Sequence, residues 1–149
     1  MLPEKNRLPT LVREGSNECF ACGESNPIGL KLRFYRNNKN EVITEFNPQK
    51  IHQGWPGIMH GGILFTIMDE AMGYTLFPEG VNCVTAKTEV RFRQPAPIGE
   101  TLLVTASISK RTSRLIETKS KVSLKSGAIV AESKAVMYIV STETNKCTQ

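Results

Sequence analysis

Two adjacent acids, Asp69 and Glu70, interrupt an apolar run, Ile63-Leu64-Phe65-Thr66-Ile67-Met68, that opens on His60-Gly61-Gly62. A helix that is apolar around its circumference is a buried one. A carboxylate in such a helix loses hydration when it ionises, so it needs a reason to be there. The start of the run has a chemistry of its own. Gly61 and Gly62 would expose amide N–H groups without intrahelical partners, at the positive end of the helix dipole. That is a place to hold an oxygen on which negative charge develops. An acid and an oxyanion-binding helix start on one helix point to catalysis at a carbonyl. Gly62, Thr66, Asp69 and Gly73 follow one another at helical spacing and share a stripe. Three of these four residues are small, so a substrate or a second chain could approach that face closely. Glu70 lies about 100° around the helix from Asp69. It could assist Asp69, or it could pair with a basic strand residue.

The four cysteines are Cys19, Cys22, Cys83 and Cys147. Cys19-Phe20-Ala21-Cys22-Gly23 has the spacing of half a zinc knuckle. A structural site needs four ligands, and no second Cys-x-x-Cys exists. His52, Cys83 or a partner chain could complete it, but nothing local points to them. The expectation is therefore a turn with two reduced thiols, no essential zinc and no metal. A redox role fails because Asn26-Pro27 and Gly29 read as turn where a helix would be needed.

The elements that must position these residues are mostly strands. Residues 30–36 alternate Leu30, Leu32, Phe34 against Lys31, Arg33, Tyr35, and Val42, Thr44, Phe46 mark a second strand. Asn37-Asn38-Lys39-Asn40 joins them as a hairpin. The loop from Asn47 to Ile58 holds Pro48, Gly54, Pro56 and Gly57. The helix is predicted over roughly 59–76, about 27 Å long, and Pro78-Glu79-Gly80 ends it. Four more strands follow, over 83–93, 101–110, 114–124 and 128–140. In the first of these Thr88, Val90 and Phe92 oppose Lys87, Glu89, Arg91 and Arg93. Consecutive strands with short turns favour an antiparallel sheet. A sheet that curls around a single helix would bury the helix as its composition demands.

At 149 residues, 40% hydrophobic and 22% charged, the chain has the length and composition of one folded domain. No apolar run reaches the roughly 20 residues that cross a bilayer, and the N-terminus has no apolar signal core. The expectation is a cytoplasmic protein that does not engage a membrane. The net charge of +5 is concentrated in residues 81–149, where eleven Lys/Arg face five Asp/Glu. A basic half suits an anionic partner or a solvated sheet face. No aromatic-studded basic motif appears, so nucleic acid is not expected.

These residues resemble the hot-dog-fold acyl-CoA thioesterases of the phenylacetate-degradation type. The resemblance rests on Cys19-Phe20-Ala21-Cys22-Gly23 with Asn26-Pro27-Ile28-Gly29-Leu30, then Pro56-Gly57, His60-Gly61-Gly62 and Asp69-Glu70-Ala71-Met72-Gly73. It continues through Thr85-Ala86-Lys87-Thr88 and Arg91-Phe92-Arg93-Gln94-Pro95. It implies an α+β hot-dog domain over residues 1–149, an antiparallel sheet of about six strands around one long helix. Residues 1–27 form an N-terminal extension carrying the Cys-x-x-Cys turn.

The resemblance also implies roles. Asp69 is the catalytic carboxylate, acting as base on water or as nucleophile on the thioester carbonyl. Gly61 and the backbone of His60 bind the thioester oxygen; the His60 ring either orders the loop, the expected role, or transfers protons. Thr85 lies near the acid of the neighbouring chain and orients the attacking water or the carboxylate. Family members often carry an Asn six residues before the His; here that position is Gly54, with Gln53 beside it as a substitute donor. Trp55 could floor an acyl pocket or anchor its loop on the core. Gly62, Thr66 and Glu70 lie along the substrate face, and Lys87, Arg91 and Arg93 are candidates for coenzyme A phosphates. The implied partner is a coenzyme A thioester, no organic cofactor is needed, and the chain forms a homodimer or a dimer of dimers (a homotetramer). Two rivals remain open: an acyl-CoA-sensing module without turnover, and a hydratase or dehydratase on the same fold.

Overall fold

The N-terminal cysteine turn is stapled in place by backbone bonds. In the computed structural model, which describes residues 2, 6–8 and 16–142, the Gly23 N–H donates to the Cys19 carbonyl at 2.9 Å. A Cβ at Gly23 would fall 2.6 Å from the Cys19 nitrogen and against the Asn17 carbonyl. Only glycine fits. The turn then captures the following segment: Leu30 N–H donates to Phe20 C=O at 2.8 Å and Leu32 N–H to Ala21 C=O at 2.9 Å. Lys31 adopts a left-handed φ of 52°, its ammonium held by the Glu24 and Asn26 carbonyls. With those donors taken, the strand expected from residue 30 becomes regular only at β1 (Tyr35–Arg36).

The hairpin forms as the sequence suggests. β1 pairs antiparallel with β2 (Val42–Phe46). The Asn37 side chain accepts from Lys39 and Glu41 N–H to shape the turn, and Asn40 takes a φ of 61°. After the loop come α1 (Gly61–Gly73), β3 (Val81–Phe92), β4 (Leu102–Arg111), β5 (Leu115–Leu124) and β6 (Ile129–Thr142). The six strands make one antiparallel sheet in the order β1-β2-β4-β5-β6-β3. Six antiparallel strands around one helix are the α+β hot-dog architecture. β3 pairs only with β6 and leaves its other edge open among the described residues.

The helix is shorter than predicted. It stops at Gly73 because the next bonds tighten to i−3: Thr75 N–H to Met72 C=O and Leu76 N–H to Gly73 C=O. The Thr75 hydroxyl also donates to Met72 C=O, at 2.6 Å. Leu64, Ile67, Met68, Ala71 and Met72 are buried against Val104, Ile116, Val122, Ala131 and Met137 of the sheet. Each large side chain so buried contributes about 1.5–3 kcal/mol. The outward half of α1 is less covered than an all-round apolar helix would be, and Asp69 and Glu70 lie there half-buried.

On β3 the expected faces hold only past a β-bulge between Thr85 and Lys87. Strict alternation would put Thr85 with Lys87 and Glu89. The bulge instead turns Thr85 to the helix side with Thr88, Val90 and Phe92. No helix among the described residues is long and apolar enough to cross a membrane. The expectations for Cys147 and for residues 1, 3–5 and 9–15 of the N-terminal extension fall outside the described residues.

Candidate active site

His60 is the N-cap of α1, and its ring does the capping. Nδ1 accepts the Gly62 N–H at 2.9 Å, so a neutral ring carries its proton on Nε2. The ring is thereby engaged in capping the helix start. One consequence is that the Gly62 amide is engaged. Gly61 keeps an N–H without an acceptor among the described residues, at the positive end of the helix. A hollow of about 320 Å³ lined by Trp55, His60 and Gly61 opens beside it.

Asp69 projects from the third turn of α1 and meets β3. The Thr85 hydroxyl donates to Asp69 Oδ1 at 3.0 Å. This bond lies within one chain and replaces the expectation that Thr85 serves the acid of a neighbouring chain. The bulge beside Thr85 is the physical reason, since it aims the hydroxyl at its own helix. Burial raises the Asp69 carboxyl above its ordinary value of 3.8, and the Thr85 hydrogen bond offsets part of that rise. A half-buried carboxylate with raised basicity and one orienting donor is equipped to take a proton from water.

That carboxylate also costs stability. A carboxyl whose folded pKa is raised prefers the protonated form, so its contribution is intact below pH 3.8 and lost as pH rises through the raised value. Asp69→Asn keeps an oxygen for Thr85 and removes the charge. We expect the variant to melt above the wild type at neutral pH, with the difference gone below pH 3.8. Thermal denaturation across pH checks this; a variant that melts lower at neutral pH would contradict it.

Several other residues stand elsewhere than the sequence suggested. Thr66 donates its hydroxyl to the Gly62 carbonyl at 2.9 Å, a bond internal to the helix. The small-residue stripe is closed at its far end, where the Phe77 ring lies 2.6 Å from a Cβ placed on Gly73. The Gln53 side-chain oxygen accepts the Gly57 N–H at 3.2 Å, and Gly54 lies against His60. Trp55 is 80% exposed and anchors nothing on this chain's core. Glu70 pairs with no basic residue among those described. It faces the cysteine turn, with Cys19 Sγ 3.7 Å from its Oε1. His52 is tied back to Gln49 N–H, and Cys83 Sγ lies 3.8 Å from the Met137 sulfur.

The three proposed phosphate cations lie on the outer face of the sheet. Lys87, Arg91 and Arg93 alternate with Thr88, Val90 and Phe92 and so face outward, away from Asp69. Lys87 pairs with Glu89 at 3.5 Å, and Arg93 holds Glu132 at 2.7 Å. With Lys119, Lys121 and Lys134, Arg91 and Arg93 line an outer groove of about 800 Å³, which is where the basic half of the chain displays its charge. One residue was missed. Phe92 places its ring 3.3 Å from a Cβ built on Gly61, walling the free amide while 53% exposed. The strand alternation already put Phe92 on the helix side; its partner across the sheet was the part not readable.

Known proteins share this fold. The chain is 26% identical over 110 residues to the acyl-coenzyme A thioesterase THEM4 of Bos taurus, covering 71% of this chain and 45% of that one. It spans less than half the length of the THEM4 relatives it matches. It is 24% identical over 102 residues to human acyl-coenzyme A thioesterase 13, with 66% and 73% covered. Among solved structures, the E. coli PaaI protein of the phenylacetic acid degradation operon superposes with a TM-score of 0.70 at 18% identity, covering 76% and 82%. A hypothetical thioesterase of Streptococcus pneumoniae, solved with coenzyme A, gives 0.68 at 16% identity, covering 73% and 86%. That protein has also been solved with alanine in place of an aspartate and of a threonine 16 residues further on. A model of the thioesterase superfamily matches residues 56–131, half of the chain, and the chain belongs to that superfamily.

Proposed function

We propose that the chain is an acyl-CoA thioesterase, one domain over residues 1–149, in which Asp69 activates water against the thioester carbonyl. The observation that carries this reading is the Thr85–Asp69 hydrogen bond on a half-buried carboxylate. Asp69 takes a proton from water as the oxygen attacks and the carbonyl becomes an oxyanion; the oxyanion then collapses to the acid as the C–S bond breaks, and the proton held by Asp69 passes to the leaving sulfur to give the coenzyme A thiol. The names of the curated relatives and the coenzyme A bound by the pneumococcal structure support the substrate class. The aspartate and threonine replaced in that protein have the same separation, 16 residues, as Asp69 and Thr85.

The oxyanion donor needs a second chain. Gly61 and Asp69 are eight residues apart on one helix, about 12 Å along its axis. Water held by Asp69 and an oxygen held by the Gly61 amide must meet at a single carbonyl carbon, which then lies about 4–5 Å from each group, a span shorter than their separation along the helix. One chain cannot do this. The reading therefore takes Asp69 and Thr85 from one chain and the Gly61 amide from another, in a homodimer. The long open edge of β3, with Val84 and Phe92 exposed, is a surface on which a second copy would pair.

The test is thiol release from a panel of aliphatic and aryl acyl-CoAs, followed with a thiol-reactive chromophore. We expect release that saturates with at least one class. Binding of acyl-CoA without release would favour a sensing module, and water addition to an enoyl-CoA without release would favour a hydratase.

A further inference from the structure

Glu70 is a carboxyl with no cation beside it among the described residues, turned toward two thiols. The Cys19 Sγ, the Cys22 Sγ and a Glu70 oxygen all lie within 4.8 Å of one another. The cysteine turn by itself supplies two ligands, and neither His52 nor Cys83 joins them. The fold brings the third from α1, 51 residues away in the chain.

We propose that Cys19, Cys22 and Glu70 bind one Zn²⁺ ion, with the fourth position taken by water. Tetrahedral zinc at about 2.3 Å from sulfur and 2.0–2.2 Å from oxygen sets its ligand atoms roughly 3.5–3.8 Å apart. The Cys19–Glu70 separation of 3.7 Å already fits, and the remaining pairs need to close by about 1 Å at most. The donor set of two thiolates and a carboxylate selects a soft-to-borderline ion such as zinc over magnesium or calcium.

Two further observations bear on the site. The turn is rigid before any metal arrives, because Gly23 admits no side chain and the Phe20 and Ala21 carbonyls are bonded to Leu30 and Leu32. Such preorganisation is what a knuckle supplies to a metal. Cys22 is 3% exposed, and its sulfur shares this poorly solvated place with the Cys19 sulfur and a Glu70 oxygen. A zinc ion entering would displace the thiol protons and supply positive charge where no cation lies among the described residues. The ion would tie the N-terminal turn to the helix residue next to Asp69, bracing the catalytic carboxylate without touching substrate.

The experiment uses the full chain, purified reduced and without chelators. Elemental analysis should give about one zinc per chain after zinc incubation and desalting. Cobalt(II) substitution should give tetrahedral visible bands and a thiolate-to-cobalt charge-transfer band in the near ultraviolet. Competition with a chromogenic chelator should show zinc affinity falling at least about 100-fold in Cys19→Ser and Cys22→Ser, and about 10-fold in Glu70→Gln. Because the cobalt spectrum is read on the unmodified protein, the test does not depend on the variants folding. Substoichiometric zinc, octahedral cobalt bands, unchanged affinity in Glu70→Gln, or a Cys19–Cys22 disulfide in freshly purified protein would each overturn the proposal. None of these outcomes bears on thiol release, so the thioesterase reading is tested separately.

Discussion

Asp69→Asn should lower thiol release from acyl-CoA by about 100-fold or more, the typical contribution of a positioned general base. The amide keeps the shape of the carboxylate and an oxygen for the Thr85 hydroxyl, which now lies 3.0 Å from Oδ1. What it loses is the capacity to accept a proton from water. Because the same substitution relieves the burial of a charge, the inactive protein should be no less stable than the wild type. Loss of activity then cannot be assigned to unfolding. The wild-type rate should also carry the signature of the base. It falls as pH drops through the Asp69 pKa, and that limb lies above the ordinary carboxylate value of 3.8 because burial raises it. Thr85→Ala removes the offsetting hydrogen bond and should move the limb further up. Steady-state rates against pH for the three proteins check this. Asp69→Asn turning over near the wild-type rate would remove Asp69 from the mechanism.

Mixing two inactive proteins, Asp69→Asn and Gly61→Pro, should restore activity. Proline is tolerated at the first helical position and lacks the N–H that would hold the oxyanion. It would press on the Phe92 ring, which is 53% exposed and free to move outward. The loss in Gly61→Pro alone should be about 100-fold, the usual cost of one oxyanion donor. If a site takes Asp69 from one chain and Gly61 from the other, a mixed dimer has one site with both lesions and one with neither. Random exchange of equal amounts makes about half the dimers mixed, so about a quarter of all sites recover. The companion mixture of Asp69→Asn with Thr85→Ala should recover nothing, since those two residues meet within one chain. Exchange is confirmed with differently tagged chains. Recovery in the companion mixture, or none in the first after confirmed exchange, would refute the proposed division of the site.

Much of this was legible in the residues alone. The alternation of Val42, Thr44 and Phe46, and of Ile116, Val122 and Leu124, marked strands because a half-buried pleated face imposes a period of two. His60-Gly61-Gly62 marked a helix start whose first amides lie exposed, because the first turn of a helix leaves its N–H groups without intrahelical partners; that the His60 ring takes one of them emerged only in the fold. Asp69 stood out because a carboxylate is costly in an apolar helix. These are local properties, readable within a few residues. The misplacements have a common origin in long-range pairing. Alternation ran through Thr85 without seeing the bulge, which depends on how β3 registers against β6. Residues 30–34 read as strand because their donors were not known to be claimed by the cysteine turn. Lys87, Arg91 and Arg93 could be recognised as exposed, but which face they share with Asp69 is decided only when the sheet wraps the helix. Glu70 has the same history: the sequence identified an acid beside Asp69, and the fold set it against Cys19 and Cys22, 51 and 48 residues earlier. Periodicity fixes which way a side chain points relative to its neighbours in the chain; only tertiary packing fixes what it meets there, because the meeting partner lies dozens of residues away.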